Sequence, residues 1–282
     1  MLEAGTIHTM TVEEKTNAGY QLMKGNERAF LPIDYADHEL KQDAVIDVFL
    51  YYDKKGQLVA TMKMPKMVIG SYNWVEVMDV IPNLGVFVNV GIEEEVLVSS
   101  DDLPYLQTAW PLPEDMLYVT LSTDKKGRLL AIPATEKIFN DLYSLVTDVG
   151  LNNEVTGRAI RVDREGTVIV TKEDYRGFIH YTEREKEPRL GEEITGRVIE
   201  VKEDGTLNVS LMPLKHERMA DDATKILSYL EESAGEMTFT DRSDPEEIRA
   251  TFHMSKSAFK RALGRLMKEK KIEQRDGKTF LL

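Results

Sequence analysis

The segment Asp53-Lys54-Lys55-Gly56-Gln57-Leu58 decides the architecture, because it returns as Asp124-Lys125-Lys126-Gly127-Arg128-Leu129 and, more loosely, as Lys202-Glu203-Asp204-Gly205-Thr206-Leu207. Gly56 and Gly127 are 71 residues apart, and Gly127 and Gly205 are 78 apart. Each copy lies between short β-rich runs, such as Val48 to Tyr51 and Leu58 to Ala60. Polar residues closing on a glycine that can take positive φ are what a tight hairpin requires. A unit ending in a hairpin is therefore repeated three times.

Upstream in each unit lies another strand pair: Asn17 to Leu22 with Ala29 to Pro32, Leu84 to Val90 with Val96 to Ser99, and Thr167 to Thr171 with Gly177 to His180. Five short strands in about 70 residues, separated by turn signals, predict a small closed OB-type barrel rather than a sandwich. The barrels are expected over 1–66, 67–132 and 154–218. Between the last two, 133–153 reads as a helical linker, since Ile138, Phe139, Leu142, Tyr143 and Val146 recur at helical spacing before Gly150.

After residue 218 the apolar period changes from two to 3.6. Asp222 is the expected cap of a helix to about Glu232, Asp244-Pro245-Glu246-Glu247 opens a second, and Ser255 caps a third. The third carries the stripe Ala258, Phe259, Ala262, Leu263, Leu266 and Met267, and a hairpin follows around Asp276-Gly277. Residues 219–282 thus predict a winged helix-turn-helix, and the whole chain is mainly β with an α+β C-terminal domain.

The 282 residues include 36 Lys and Arg against 49 Asp and Glu, a net charge of −13, and no cysteine. Disulfide scaffolds, thiol catalysis and cysteine-ligated zinc are excluded. The N-terminus lacks the basic and apolar regions of a signal peptide, and no apolar run approaches the roughly 20 residues of a membrane span, so a cytoplasmic protein is expected. Charge is uneven: residues 1–66 sum to −2, 67–148 to −9, 149–218 to −2 and 219–282 to zero. A polyanion should prefer the third barrel and the tail.

Motifs for other chemistry fail. Gly277-Lys278-Thr279 imitates the end of a P-loop, but Ile272 stands where its first glycine belongs. Consecutive acids such as Asp101-Asp102 and Glu93-Glu94-Glu95 cannot all face one cation, and the histidines at 8, 38, 180, 216 and 253 lack ligand spacing. No cofactor, metal or catalytic constellation is expected, and the chain reads as a non-enzyme.

Asn83-Leu84-Gly85-Val86-Phe87-Val88 followed by Val96-Leu97-Val98-Ser99-Ser100, and Glu165-Gly166-Thr167-Val168-Ile169 followed by Gly177-Phe178-Ile179-His180, resemble the S1-type RNA-binding OB-fold. Three such barrels and a C-terminal winged helix resemble the bacterial conserved virulence factor B family over nearly the whole chain. The resemblance implies a single-stranded RNA-binding, post-transcriptional regulator of bacterial gene expression. The S1 pattern places two aromatic side chains on one strand, a histidine on the next, and an Asp and Arg at the later hairpin. Carried over, it gives Phe87, Asp124 and Arg128 in the second barrel, with Leu84 and Val98 replacing an aromatic and the histidine. In the third barrel it gives His180, with Glu165 and Val168 at the aromatic positions and Lys202 and Thr206 at the hairpin. The first barrel offers Tyr20 and Asp53, while Pro32 and Gln57 depart. No barrel holds the complete set, so weak modules added by tethering are expected.

Phe87 either stacks a base or fills its barrel, since alternation only sets it opposite Val86 and Val88. Tyr175 and Arg176 occupy a loop that either meets RNA or is a solvated turn. Arg158, Arg161, Arg164 and Arg176, with Lys256, Lys260, Arg261 and Arg265 of the third helix, are the expected phosphate contacts. The bland alternative for the helix is an ordinary solvated face. Two rival partners are carried: duplex DNA, read by the winged helix, and ribosome or RNA-decay proteins, docked through the acidic second barrel.

Overall fold

Each hairpin copy is built by one carboxylate. Asp53 Oδ1 accepts from the backbone N–H of Lys55 at 2.9 Å and of Gln57 at 2.8 Å, and Asp124 Oδ1 accepts from Lys126 at 2.8 Å and Arg128 at 2.9 Å. In the third copy Asp204 substitutes, accepting from the N–H and hydroxyl of Thr206. Gly56, Gly127 and Gly205 sit at φ +76°, +79° and +77°, the left-handed region that turn geometry reserves for glycine.

The computed structural model describes residues 2–213 and 215–282, with the backbone only over 215–221. The first barrel comprises β1 (Thr6–Lys15), β2 (Gly19–Lys24), β3 (Glu27–Pro32), β4 (Val45–Tyr52) and β5 (Leu58–Thr61). The second comprises β6 (Asn73–Ile81), β7 (Gly85–Asn89), β8 (Val96–Ser99), β9 (Met116–Thr123) and β10 (Leu129–Pro133). A single helical turn, α1 (Glu136–Phe139), precedes the third: β11 (Glu154–Val162), β12 (Gly166–Thr171), β13 (Arg176–His180), β14 (Glu193–Val201) and β15 (Leu207–Ser210). All three sheets close, in the order β1-β2-β3-β5-β4 and its equivalents. The long opening strand of each barrel has no turn signal of its own and was not delimited by the sequence pattern.

Residues 1–211 form one unit. Phe49, Tyr51 and Val59 on the first barrel join the buried cluster that includes Val75, Val88 and Leu121 of the second. The second and third barrels are clamped by Arg189, whose Nε and Nη2 donate to Asp115 Oδ2 at 2.8 Å and Oδ1 at 3.1 Å. Asp115 is only 6% exposed. Backbone bonds from Leu190 to Ala109 and from Met116 to Gly191 flank that pair.

The linker holds the expected short helix packed between barrels, limited to a single turn. Only Glu136–Phe139 is helical, because the apolar residues serve two barrels. Phe139 and Tyr143 pack with Trp74 and Tyr118 of the second, whereas Val146 reaches the core of the third. One straight helix cannot face both.

Residues 212–282 form a separate unit, with α2 (Lys215–Glu232), β16 (Glu236–Met237), α3 (Pro245–Phe252), α4 (Lys256–Lys268), β17 (Ile272–Arg275) and β18 (Lys278–Leu281). Asp244 and Ser255 cap α3 and α4 as expected, and Asp276 and Gly277, both at positive φ, turn the final hairpin. Asp222 is not a cap: α2 begins at Lys215, and its buried stripe is Ala223, Ile226 and Leu230. The core is that stripe with Ile248, Phe252, Phe259, Leu263 and Leu266. Among the described residues no helix is long and apolar enough to cross a membrane.

Removing one member of a buried ion pair strands the other charge. Arg189→Ala is expected to destabilise the barrel unit by about 3–5 kcal/mol, read by urea unfolding, with Arg189→Lys intermediate because an ammonium lacks the two-pronged geometry.

Candidate nucleic-acid interface

Strand register aligns the three barrels residue by residue. Gly19 faces Pro32, Gly85 faces Ser99 and Gly166 faces His180. The residue after each of these partners donates its N–H back across the corner: Ile33 to Ala18 O, Ser100 to Leu84 O and Tyr181 to Glu165 O, at 3.0, 2.9 and 3.2 Å. Pro32, Ser99 and His180 are thus equivalent and each caps a short 3-10 turn. The residue replacing the S1 histidine in the second barrel is therefore Ser99, not Val98, which is fully buried.

The same register corrects Tyr20. It occupies the inward position of Val86 and Thr167, is 1% exposed, and accepts the N–H of Leu40 on its hydroxyl at 3.1 Å. Gln21 holds the outward place that Phe87 and Val168 hold in the other barrels. Tyr20 is core and presents no ring to a ligand.

In the third barrel the outward residues of β13 are Arg176, Phe178 and His180. His180 is exposed, its Nδ1 lies 2.7 Å from Thr182 Oγ1, and its ring stands 4.3 Å from that of Tyr181 and 6.3 Å from that of Phe178. Tyr181 is 56% exposed. Phe178 lies across Gly166, where an added Cβ would meet the ring at 2.7 Å and Ile179 O at 2.3 Å, so only glycine admits the ring. Phe30 lies across Gly19 in the same way. Arg164 is exposed in the adjoining turn, and the Tyr181–Glu165 bond ties that turn to the rings. Phe178 and Tyr181 were missed in the sequence, although strand alternation from His180 points to the first.

Three of the four expected phosphate arginines do structural work. Arg176 Nε donates to Glu136 Oε1 at 2.7 Å, and Arg161 pairs with the other oxygen of the same carboxylate and with Asp163. Arg158 reaches Gly191 O and Glu193, both at 3.3 Å. Each is paired with a carboxylate brought in by the fold, so a phosphate would have to compete with that carboxylate for it. Tyr175 is likewise buried, donating its hydroxyl to Asp148 at 2.6 Å, while Lys172, Glu173 and Asp174 of its loop are exposed. Burial, then the Glu136 carboxylate, push the nearby Tyr143 phenol up to about 12.

Beside this clamp a cleft of about 600 Å³ opens between the second and third barrels. Tyr72, Trp74 and Tyr118 line one side, and Arg158 and Lys172 the other.

In the second barrel Phe87 is half-buried and points outward, while Val86 and Val88 fill the core. Arg128 folds back on Asp124, with Nε 2.8 Å from Oδ2. Burial raises the Asp124 carboxyl, but the bonds from Arg128 and Lys126 outweigh it and hold it below its ordinary range.

On α4, Lys260 and Arg261 are exposed and Lys256 is half-buried. Lys260 lies 3.8 Å from Asp241, and Arg265 donates to Glu269 at 2.8 Å. Gly264, at helical spacing from Lys260, Arg261 and Lys268, leaves bare backbone amid these cations, with nothing within 4 Å of an added Cβ. A helix-interior glycine costs about 1 kcal/mol against alanine, and no contact among the described residues explains it.

Three S1-like barrels with inequivalent ligand corners, followed by a winged helix, define a tandem OB-fold chain of nucleic-acid-binding architecture. Residues 4–63 match the S1 domain, 72–132 the CvfB first S1-like domain, 140–213 the second domain of virulence regulatory factor CvfB, and 224–281 the CvfB-like winged helix domain. The chain belongs to the conserved virulence factor B family. It is 41% identical over 272 residues to the uncharacterized protein YitL of Bacillus subtilis, covering 96% of this chain and 91% of that one. It is 40% identical over 246 residues to conserved virulence factor B of Staphylococcus saprophyticus, covering 87% and 82%. A solved structure described as a multidomain protein with nucleic acid binding domains, from Streptococcus pneumoniae, is 35% identical with a TM-score of 0.66, covering 99% and 98% of the two chains.

The two kinds of side chain should separate in stability. Arg176→Ala and Glu136→Gln are expected to cost about 1–3 kcal/mol, and Tyr181→Ala less than about 0.5 kcal/mol. Thermal unfolding followed by circular dichroism checks all three.

Proposed function

We propose that the protein is a non-enzymatic, single-stranded RNA-binding regulator of bacterial gene expression, acting in the cytoplasm and holding RNA through several weak modules. The observation that carries this reading is the ring corner of exposed His180 and Tyr181, backed by half-buried Phe178, beside Arg164 in the third barrel. Its location matches the ligand corner of the S1 pattern. Rings standing free of a groove accept bases that are already unstacked, each worth about 1–3 kcal/mol, and this favours a single strand over a duplex. The cations Lys256, Lys260 and Arg261 add phosphate attraction from the winged helix. The S1 match and the description of the Streptococcus pneumoniae relative support nucleic acid as the partner. The virulence-regulator description of the second domain supports a regulatory role.

A second reading has its own observation: the cationic face of α4 with bare backbone at Gly264 suits close approach to duplex DNA. Competition separates the two. With a labelled oligouridine of about 12 nucleotides, a length within the site size of an OB fold, anisotropy should rise in dilute buffer. Tyr181→Ala should weaken binding roughly 5- to 100-fold, as the loss of one stacking ring predicts. Lys260→Ala with Arg261→Ala should flatten the salt dependence. Unchanged affinity on Tyr181→Ala refutes the ring corner, and displacement by duplex DNA at equal nucleotide concentration favours the DNA reading.

A further inference from the structure

The ligand face of the second barrel keeps its S1 position but has the wrong charge for a polyanion. Around Phe87 a groove of about 360 Å³ runs between the first two barrels, lined by Tyr52, Leu84, Leu97 and Leu129. That volume lies at the small end of ligand pockets. Leu84, 43% exposed, and the outward, half-buried Phe87 give it an apolar floor. Its wall is shared: the ring of Tyr52 stands 2.6 Å from where a Cβ on Gly127 would be, so the hairpins of the two barrels flank the groove.

The rim is acidic. Asp53, Glu94, Glu95 and Asp124 line it against only Lys54 and Arg128. Arg128 is spent on Asp124 at 2.7 Å. Residues 67–148 carry 13 acidic and 4 basic side chains, so the barrel that bears the groove is acidic as a whole, with Lys55, Lys125 and Lys126 confined to the flanking hairpins. A phosphate strand entering here meets like charge, whereas a cationic chain meets complementary charge with apolar anchorage below it.

We propose that this groove is a docking site for an extended basic peptide segment of a partner protein, with a leucine or aromatic side chain seated beside Phe87 and flanking lysines or arginines on Glu94 and Glu95. The occupant is fixed by charge complementarity. The site is independent of the RNA corner in the third barrel, so the full-length chain could hold both ligands.

The probe is a fluorescein-labelled peptide, acetyl-Lys-Arg-Leu-Lys-Phe-Lys-Arg-amide, titrated with the full-length protein at low and moderate salt. A glutamate-for-lysine-and-arginine peptide serves as control, and oligouridine is titrated in parallel. The basic peptide should bind and weaken as salt is added, while the acidic one should not bind. Glu94→Gln with Glu95→Gln removes two exposed or half-exposed charges without touching the core, and should weaken the peptide at least tenfold while leaving oligouridine affinity equal or higher. Phe87→Ala should weaken the peptide further and leave oligouridine unchanged. Absence of peptide binding in dilute buffer, or binding indifferent to the double variant, overturns the proposal. So does a Phe87→Ala protein that loses oligouridine instead. Since the RNA titration is read separately, failure here leaves the RNA reading standing, and the converse holds.

Discussion

The seating of the linker between the second and third barrels depends on one carboxylate held by two guanidinium groups. Glu136, at the start of a single helical turn, takes Arg161 from β11 and Arg176 from β13. A carboxylate can accept along both oxygens, and two cations lower the cost of removing it from water. Fixed there, the turn drives Phe139 between Trp74 and Tyr118 of the second barrel and Val168 and Val170 of the third. The outer face of β12, where an S1 barrel would offer rings to a ligand, becomes interior. What stays open on the third barrel is the corner beyond it, where His180 and Tyr181 stand.

One scaffold has thus been used in three ways. The first barrel turns Gln21, Phe30 and Pro32 outward, a set with no cation among them. The second turns out Phe87 over carboxylates. The third keeps a histidine and adds a tyrosine to it. Equivalent backbone hydrogen bonds recur at the three corners, so side chains carry most of what differs between them. Net charge follows the same division, since most of the chain's negative excess lies in the middle barrel.

How much was legible in the sequence follows from range. Hairpins were legible because the Asp and Gly that make each of them lie within a few residues of one another, and so were the caps Asp244 and Ser255. Register was legible only to within one residue: Tyr20 and Val98 were each assigned to the face opposite the one they occupy, the error a period of two allows. Ion-pair partners were not legible. Glu136 lies 25 and 40 residues from its two arginines, and Asp115 lies 74 from Arg189. An arginine read alone looks available, and only the fold supplies its acid. The aromatic corner stayed half-visible for the same reason, because Tyr181 joins His180 through the turn after the strand and not through strand alternation.

The apolar seam between the first two barrels carries a cost during synthesis. When the first barrel leaves the ribosome, Phe49, Tyr51 and Val59 have nothing to pack against until Leu121 and its neighbours emerge. At elongation rates of roughly 5–20 residues per second, that interval lasts on the order of several seconds. For that time the nascent chain shows a sticky flank to its surroundings. Transplanting the leading barrel by itself would transplant the exposed flank with it.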